Sequence, residues 1–168
     1  MDILHTACFT GHRPQNLGIN ENSSGFRLFM EDLEYTILEL VSFKGITTFI
    51  SGMALGVDMY AAQTVLKIKE RNRDVKLICA LPCSTQSDRW SELNKYGYKK
   101  ILRSADNVIC LQDFYTAGCM QRRNEFMVNN SSLVIAVWNG ENGGTANTIR
   151  YAQKIGKPII RINPLDYI

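Results

Sequence analysis

Six short apolar runs, separated by segments of helical periodicity, constrain this 168-residue chain more than any other feature. The runs lie at 6–10, 48–51, 76–80, 107–112, 133–138 and 158–162, each of strand length. Between the first two, Phe26, Phe29, Leu33, Ile37, Leu40 and Val41 recur at helical spacing and predict an amphipathic helix ending near Lys44-Gly45. A second helix, from about Gly56 to Arg71, places Val57, Tyr60, Ala61, Val65 and Ile68 on one face. Ser87 to Arg103 gives an imperfect helical stripe interrupted by Gly97, residues 119–130 read as a helix, and Ile149, Ala152 and Ile155 mark the last one. Residues 15–25, rich in Asn, Ser and Gly, read as an irregular loop. Strands alternating with helices of this length predict an α/β fold with a mainly parallel, doubly wound sheet and helices on both faces. The whole chain, 1–168, is expected to form a single domain. In such folds ligands sit at the carboxyl ends of the strands.

The junction that best fits a ligand site is Phe49-Ile50-Ser51-Gly52-Met53-Ala54-Leu55-Gly56-Val57-Asp58. Here a strand turns into a helix through two glycines. Gly52 is expected to take angles barred to other residues and approach a bound group, and Gly56 to clear space where the helix presses on the sheet. The unpartnered first amides of the helix, with its dipole, suit a phosphate or another anion. The stretch is neither the G-x-G-x-x-G fingerprint nor a lysine-containing phosphate loop. A plain strand-to-helix turn, with Asp58 favourably placed in the first helical turn, is the competing reading.

A second glycine-rich turn, Asn139-Gly140-Glu141-Asn142-Gly143-Gly144-Thr145, precedes the last helix and again offers amides and a hydroxyl. Gly11-His12-Arg13-Pro14 follows the first strand. Arg13 suits bidentate pairing with phosphate or a plain surface position, and His12 serves as a hydrogen-bonding binder rather than a base. Arg122 and Arg123 stand near the start of a helix, where cations oppose the dipole, which points them toward an anion. Trp90 is taken as packing, and Tyr115 as either a stacking partner for a base or a cover for the sheet edge.

Charge is balanced, with 19 basic and 16 acidic residues spread along the chain. That pattern gives no push toward DNA, which is taken as an unlikely partner, or toward a membrane. No apolar run approaches the ~20 residues of a membrane helix and no leader pattern opens the chain, so a cytoplasmic protein is expected. The five cysteines are read as reduced thiols, with Cys8, Cys79 and Cys110 as small core residues in strands and Cys83 and Cys119 on loops. Cysteine and histidine spacing supports no metal site.

Taken together, Phe9-Thr10-Gly11-His12-Arg13-Pro14, the 51–58 turn, Leu81-Pro82-Cys83, Arg123-Asn124-x-x-Met127-Val128 and Gly143-Gly144-Thr145 resemble the YpsA-like branch of the SLOG superfamily, over nearly the whole chain. The superfamily takes its name from the Smf/DprA DNA-processing proteins and the Lonely Guy enzymes. The resemblance implies a Rossmann-like fold, a homodimer, and a nucleotide or ADP-ribose-type ligand in place of a fixed cofactor. It also implies a protein partner in a signalling or cell-division pathway. Its implied ligand-binding positions are Gly11, His12, Arg13, Ser51, Gly52, Met53, Gly56, Asp58, Pro82, Arg123, Gly143, Gly144 and Thr145. Lonely Guy enzymes are phosphoribohydrolases that use an arginine, which Arg123 resembles in its M-x-x-R-x-x-x-M setting, and a glutamate. Thr148 stands where that glutamate falls. A hydrolase of N-glycosidic bonds is therefore the alternative, with Arg123, Asp58 and Glu125 as candidate catalytic residues. DprA-like binding of single-stranded DNA is the weaker one.

Overall fold

The computed structural model describes residues 1–168. Six parallel strands, β1 (Thr6–Gly11), β2 (Thr48–Ser51), β3 (Lys76–Leu81), β4 (Asn107–Cys110), β5 (Leu133–Val137) and β6 (Ile159–Ile162), form one sheet in the order β4-β3-β2-β1-β5-β6. The helices are α1 (Pro14–Leu17), α2 (Ser24–Lys44), α3 (Val57–Arg71), α4 (Glu92–Ser104), α5 (Cys119–Asn129) and α6 (Gly144–Lys154). This is the parallel, Rossmann-like α/β sheet expected from the alternation. The chain grows outward from β1 to β4, then returns to the other side of β1 with β5. The strand order reverses between β1 and β5, where Ala7 to Gly11 pair with Leu133 to Val137. Loops leaving these two strands diverge, and an open crevice results.

Strand residues alternate between two unequal layers. Ala7, Phe9, Phe49, Leu77 and Ile135 face a core of 26 buried residues shared with α2, α3 and α4. Cys8, Ile50, Ile78 and Val134 face one of 8, closed by Met127 and Val128 of α5 and Ala152 of α6. The thick layer fixes α3 against β1, β2 and β3, and so fixes the turn that starts it.

Three local expectations change. Within 15–25, α1 is a helical turn with Pro14 at its start, Gly18 in the left-handed conformation at its end, and Leu17 buried. This is the proline-first, glycine-last pattern of helix ends. The helix expected from Ser87 begins instead at Glu92, where the Ser91 hydroxyl accepts from the Asn94 amide. Trp90 lies before it, edge-on to Tyr98 at 5.2 Å. Cys110 is exposed, because β4 is the edge strand, whereas Cys8 and Cys79 are buried. Cys83 and Cys119 are buried too, the latter as the first residue of α5. No helix is long and apolar enough to cross a membrane.

Candidate functional site

The crevice at the β1/β5 reversal is a cleft of about 180 Å³, lined from three directions. The end of β1 and its loop supply Gly11, His12, Arg13 and Asn16. The loop before α6 supplies Glu141, Asn142, Gly143, Gly144 and Thr145, and α5 supplies Met120, Arg123 and Asn124. Ala54 of the turn after β2 and Asp58 in the first turn of α3 close the floor. The structure thus brings together Gly11, His12, Arg13, Asp58, Arg123, Gly143, Gly144 and Thr145. Ser51, Gly52, Met53, Gly56, Pro82 and Glu125 do not line the cleft. Glu125 accepts instead from Gln121 at 3.1 Å, one turn back along α5.

The turn after β2 spends its polar groups on its own chain. The Ser51 hydroxyl donates to the Asp58 carbonyl at 2.7 Å and accepts from the Met53 amide at 3.2 Å. The Ala54 amide donates to the Asp58 carboxylate at 3.3 Å, and the Val57 amide to the His12 carbonyl at 3.2 Å. The left-handed angles fall on Met53 (φ 57) and Gly56 (φ 94) rather than on Gly52. Gly56 is needed doubly, since a Cβ there would also lie 2.6 Å from the His12 carbonyl oxygen. Gly52 serves differently: a Cβ on it would lie 2.5 Å from the Arg123 guanidinium. The missing side chain is the seat of that cation.

Arg123 is 4% exposed, donating from Nη1 to the Gly52 carbonyl and from Nε to Asn124 Oδ1 at 2.8 Å. Asp58, 6% exposed, faces the same cleft. Burial pushes the Asp58 carboxyl above its ordinary range, while Arg123, the Ala54 amide and Arg13 pull it back. Burial likewise works against the charge on Arg123, opposed chiefly by Asp58. The two groups support each other across the cleft without a direct ion pair. Arg122, by contrast, is spent on Gln112 and Thr116 at 2.7 and 2.8 Å.

The loop before α6 is built to stay open. Asn139 Oδ1 accepts from the Glu141 amide at 3.0 Å, which marks that atom as oxygen, so His12 Nε2–H donates to it at 2.8 Å. The Asn139 amide, 3.2 Å from the same nitrogen, belongs to the other tautomer. His12 therefore ties the β1 loop to the β5 loop. Trp138 braces the far side, its Nε1 donating to the Glu141 carbonyl at 2.7 Å with Arg161 4.8 Å over its ring. Gly143 takes φ 150, no side chain caps α6, and a Cβ on Gly143 or Gly144 would meet nothing within 4 Å. The first amides of α6 therefore have no side-chain cap, at a cleft also lined by Arg13 and Arg123. Thr148 is fully buried, its hydroxyl donating to the Gly144 carbonyl at 2.9 Å. Asn16, Glu141, Asn142 and Asn124 enter the cleft without having been singled out. Only position in a loop at a strand end pointed to Glu141 and Asn142, and nothing pointed to Asn16 on α1 or Asn124 on α5.

Fold and cleft together define a Rossmann-like protein with a cation-flanked helix terminus at the point where strand order reverses. A model of the YspA SLOG family matches residues 7–163, and the chain belongs to that family. The SPbeta prophage-derived protein YoqJ of Bacillus subtilis is 32% identical over 142 residues, 76% of this chain and 83% of that one. DNA processing protein A of Helicobacter pylori shares the fold with a TM-score of 0.64 at 20% identity, over 98% of this chain and 71% of that one. The Streptococcus pneumoniae protein of the same name gives 0.64 at 17% identity over 93% of this chain, which spans 49% of its length.

Proposed function

We propose that this protein is a binding module for a nucleotide or ADP-ribose-type molecule, held by its phosphate in the β1/β5 cleft, whose occupancy is passed to a protein partner. The observation that carries the reading is the uncapped start of α6 facing one exposed and one buried arginine. Such a terminus attracts an anion through its free amides and dipole, and a guanidinium adds a planar fork of donors. The cleft volume is below the ~300–1,000 Å³ of pockets for drug-sized ligands, so it suits a phosphate and sugar with the rest of the ligand at the rim.

DNA processing protein A of Helicobacter pylori has a single-stranded DNA binding mode. In this chain a groove with four cations, Lys67, Lys69, Arg73 and Lys100, lies elsewhere, between α3 and α4. There Lys67 and Lys69 are each 2.6 Å from a carboxylate, Glu34 and Asp106. A small phosphorylated ligand fits the cleft better than a strand of DNA.

A second reading, hydrolysis of a nucleotide's N-glycosidic bond, draws support from Asp58, a buried carboxylate in the same cleft as Arg123.

A thermal-shift panel of NAD, ADP-ribose, nucleoside monophosphates and nucleoside triphosphates tests the module. At least one class should raise the melting temperature, since a ligand bound to the folded state stabilises it by mass action. Gly144→Asp should abolish the rise. Its Cβ meets open space, and an acidic residue suits the first turn of a helix, so the fold is kept while a carboxylate fills the anion's place. No shift from any class at millimolar concentration would refute the reading.

A further inference from the structure

A second concavity adjoins the cleft and shares Met120 with it, lined by Trp90 and Tyr115 together with Gln86, Asp88 and Arg89. We propose that Trp90, Tyr115 and Met120 form the seat of the ligand's nucleobase, a deduction that rests on the nucleotide reading above.

Two polar threads connect the concavities. Arg123 reaches the Gly52 carbonyl from the phosphate cleft, and Gln86 Nε2 reaches the same oxygen at 3.2 Å from the aromatic side. Arg123 also lies one helical turn beyond Met120 on α5, so a ligand crossing Met120 keeps its phosphate near the arginine. The aromatic groups differ in how they are held. Trp90 is half-buried and edge-on to Tyr98, which fixes its ring. Tyr115 is 64% exposed, yet its loop is bound at several points. The Ser84 amide donates to the Gln112 and Asp113 carbonyls, Gln112 Nε2 to the Phe114 carbonyl at 2.6 Å, and Arg122 to Thr116 at 2.8 Å. An aromatic ring left in solvent on a braced loop is preorganised to stack, and every nucleobase offers a π-face for it. Asp88 and Arg89, both exposed at the edge, provide an acceptor and donors for the polar rim of a base. A membrane or a peptide would need a larger apolar face than two aromatic side chains and one thioether.

Isothermal titration with AMP and with ribose 5-phosphate separates this seat from the phosphate site. Wild type should bind AMP at least tenfold more tightly than the sugar phosphate. Tyr115→Ala should weaken AMP by about tenfold, within the range lost when a stacking aromatic is truncated, and leave ribose 5-phosphate unchanged. Tyr115→Phe, which keeps the ring, should restore AMP binding. Equal affinity for the two ligands in wild type, or an equal loss of both in Tyr115→Ala, would overturn the base seat while leaving the phosphate cleft in place. If Gly144→Asp removes both ligands and Tyr115→Ala only the gain from the base, the two subsites are distinct. Absence of AMP binding would overturn the base seat, and the phosphate cleft falls with it only if no class of the thermal-shift panel binds either.

Discussion

Gly52→Ala is the smallest perturbation that should dislodge the buried cation of the cleft. The three atoms nearest to the added methyl all belong to Arg123, at 2.5, 2.6 and 2.8 Å, and real Cβ atoms do not sit that close. Gly52 has no left-handed angle, so the methyl imposes no backbone strain of its own and the guanidinium must yield. Leaving its seat, Arg123 gives up its bonds to the Gly52 carbonyl and to Asn124, each of the charge-assisted kind worth about 1.5–3 kcal/mol when made or lost singly. The Gly52 carbonyl keeps its bond from Gln86, which limits the loss. Stiffening of the unfolded chain by alanine returns about 0.4–1 kcal/mol. The net cost should be about 2 kcal/mol, or roughly 4–8 °C in melting temperature for a chain of this length. Urea denaturation of wild type, Gly52→Ala, Arg123→Ala and the double variant measures it as a cycle. With Arg123 truncated the methyl has room, so Gly52→Ala should become neutral or stabilising in that background. An equal cost in both backgrounds would refute the assignment of Gly52 as the guanidinium's seat.

Asp58→Asn tests the balance of burial and attraction at the cleft floor. A carboxyl whose folded pKa is raised above 3.8 binds extra protons in the native state, so its stabilising contribution is whole below that pH and fades as pH rises through the raised value. The variant should therefore be more stable than wild type in urea at pH 7, with the gap closing toward pH 4; a variant less stable at pH 7 would mean that attraction to Arg123 outweighs burial. Incubation with AMP, followed by chromatography for free adenine, tests turnover: little or no release is expected, because the hydroxyl of buried Thr148 supplies no charge to an oxocarbenium-like centre. Rapid release that vanishes in Arg123→Ala would place Asp58 in the role of the absent glutamate.

The alternation of apolar runs with helical stripes made the layered fold legible, because period two and period 3.6 leave different patterns in a buried chain. What periodicity does not carry is the rank of a strand within its sheet. The run containing Cys110 reads like the one containing Cys79, yet the first is an edge and the second is covered on both sides. Capping decides boundaries in the same way. Ser91 and Pro14 start helices within segments whose apolar spacing argued for a longer helix or for none. In the site, the glycines and arginines announced themselves by type. Asn139 and Trp138 act by holding the loop before α6, and nothing in a sequence distinguishes a brace from its neighbours until the loops it joins are in contact.

The two glycine-rich turns, so similar as strings, end in opposite electrostatic states. After β2 the carbonyl of Gly52 faces inward to two donors, and the amides of Met53, Ala54 and Val57 are each consumed by Ser51, Asp58 and His12. A buried turn must satisfy its polar groups, and this one does so by recruiting a cation from α5 that a Cβ would exclude. Before α6 the bonds run through Asn139 and Trp138 to Glu141 and stop short of the Gly143 and Gly144 amides, so the helix begins uncapped over the cleft. The first turn thus positions Arg123 and Asp58, and the second leaves free amides opposite them. An anion entering the cleft meets donors that were never paired beside a cation already desolvated. An anion bound as proposed would therefore pair with the α6 amides without breaking a bond of the fold, the condition under which binding keeps most of its electrostatic gain.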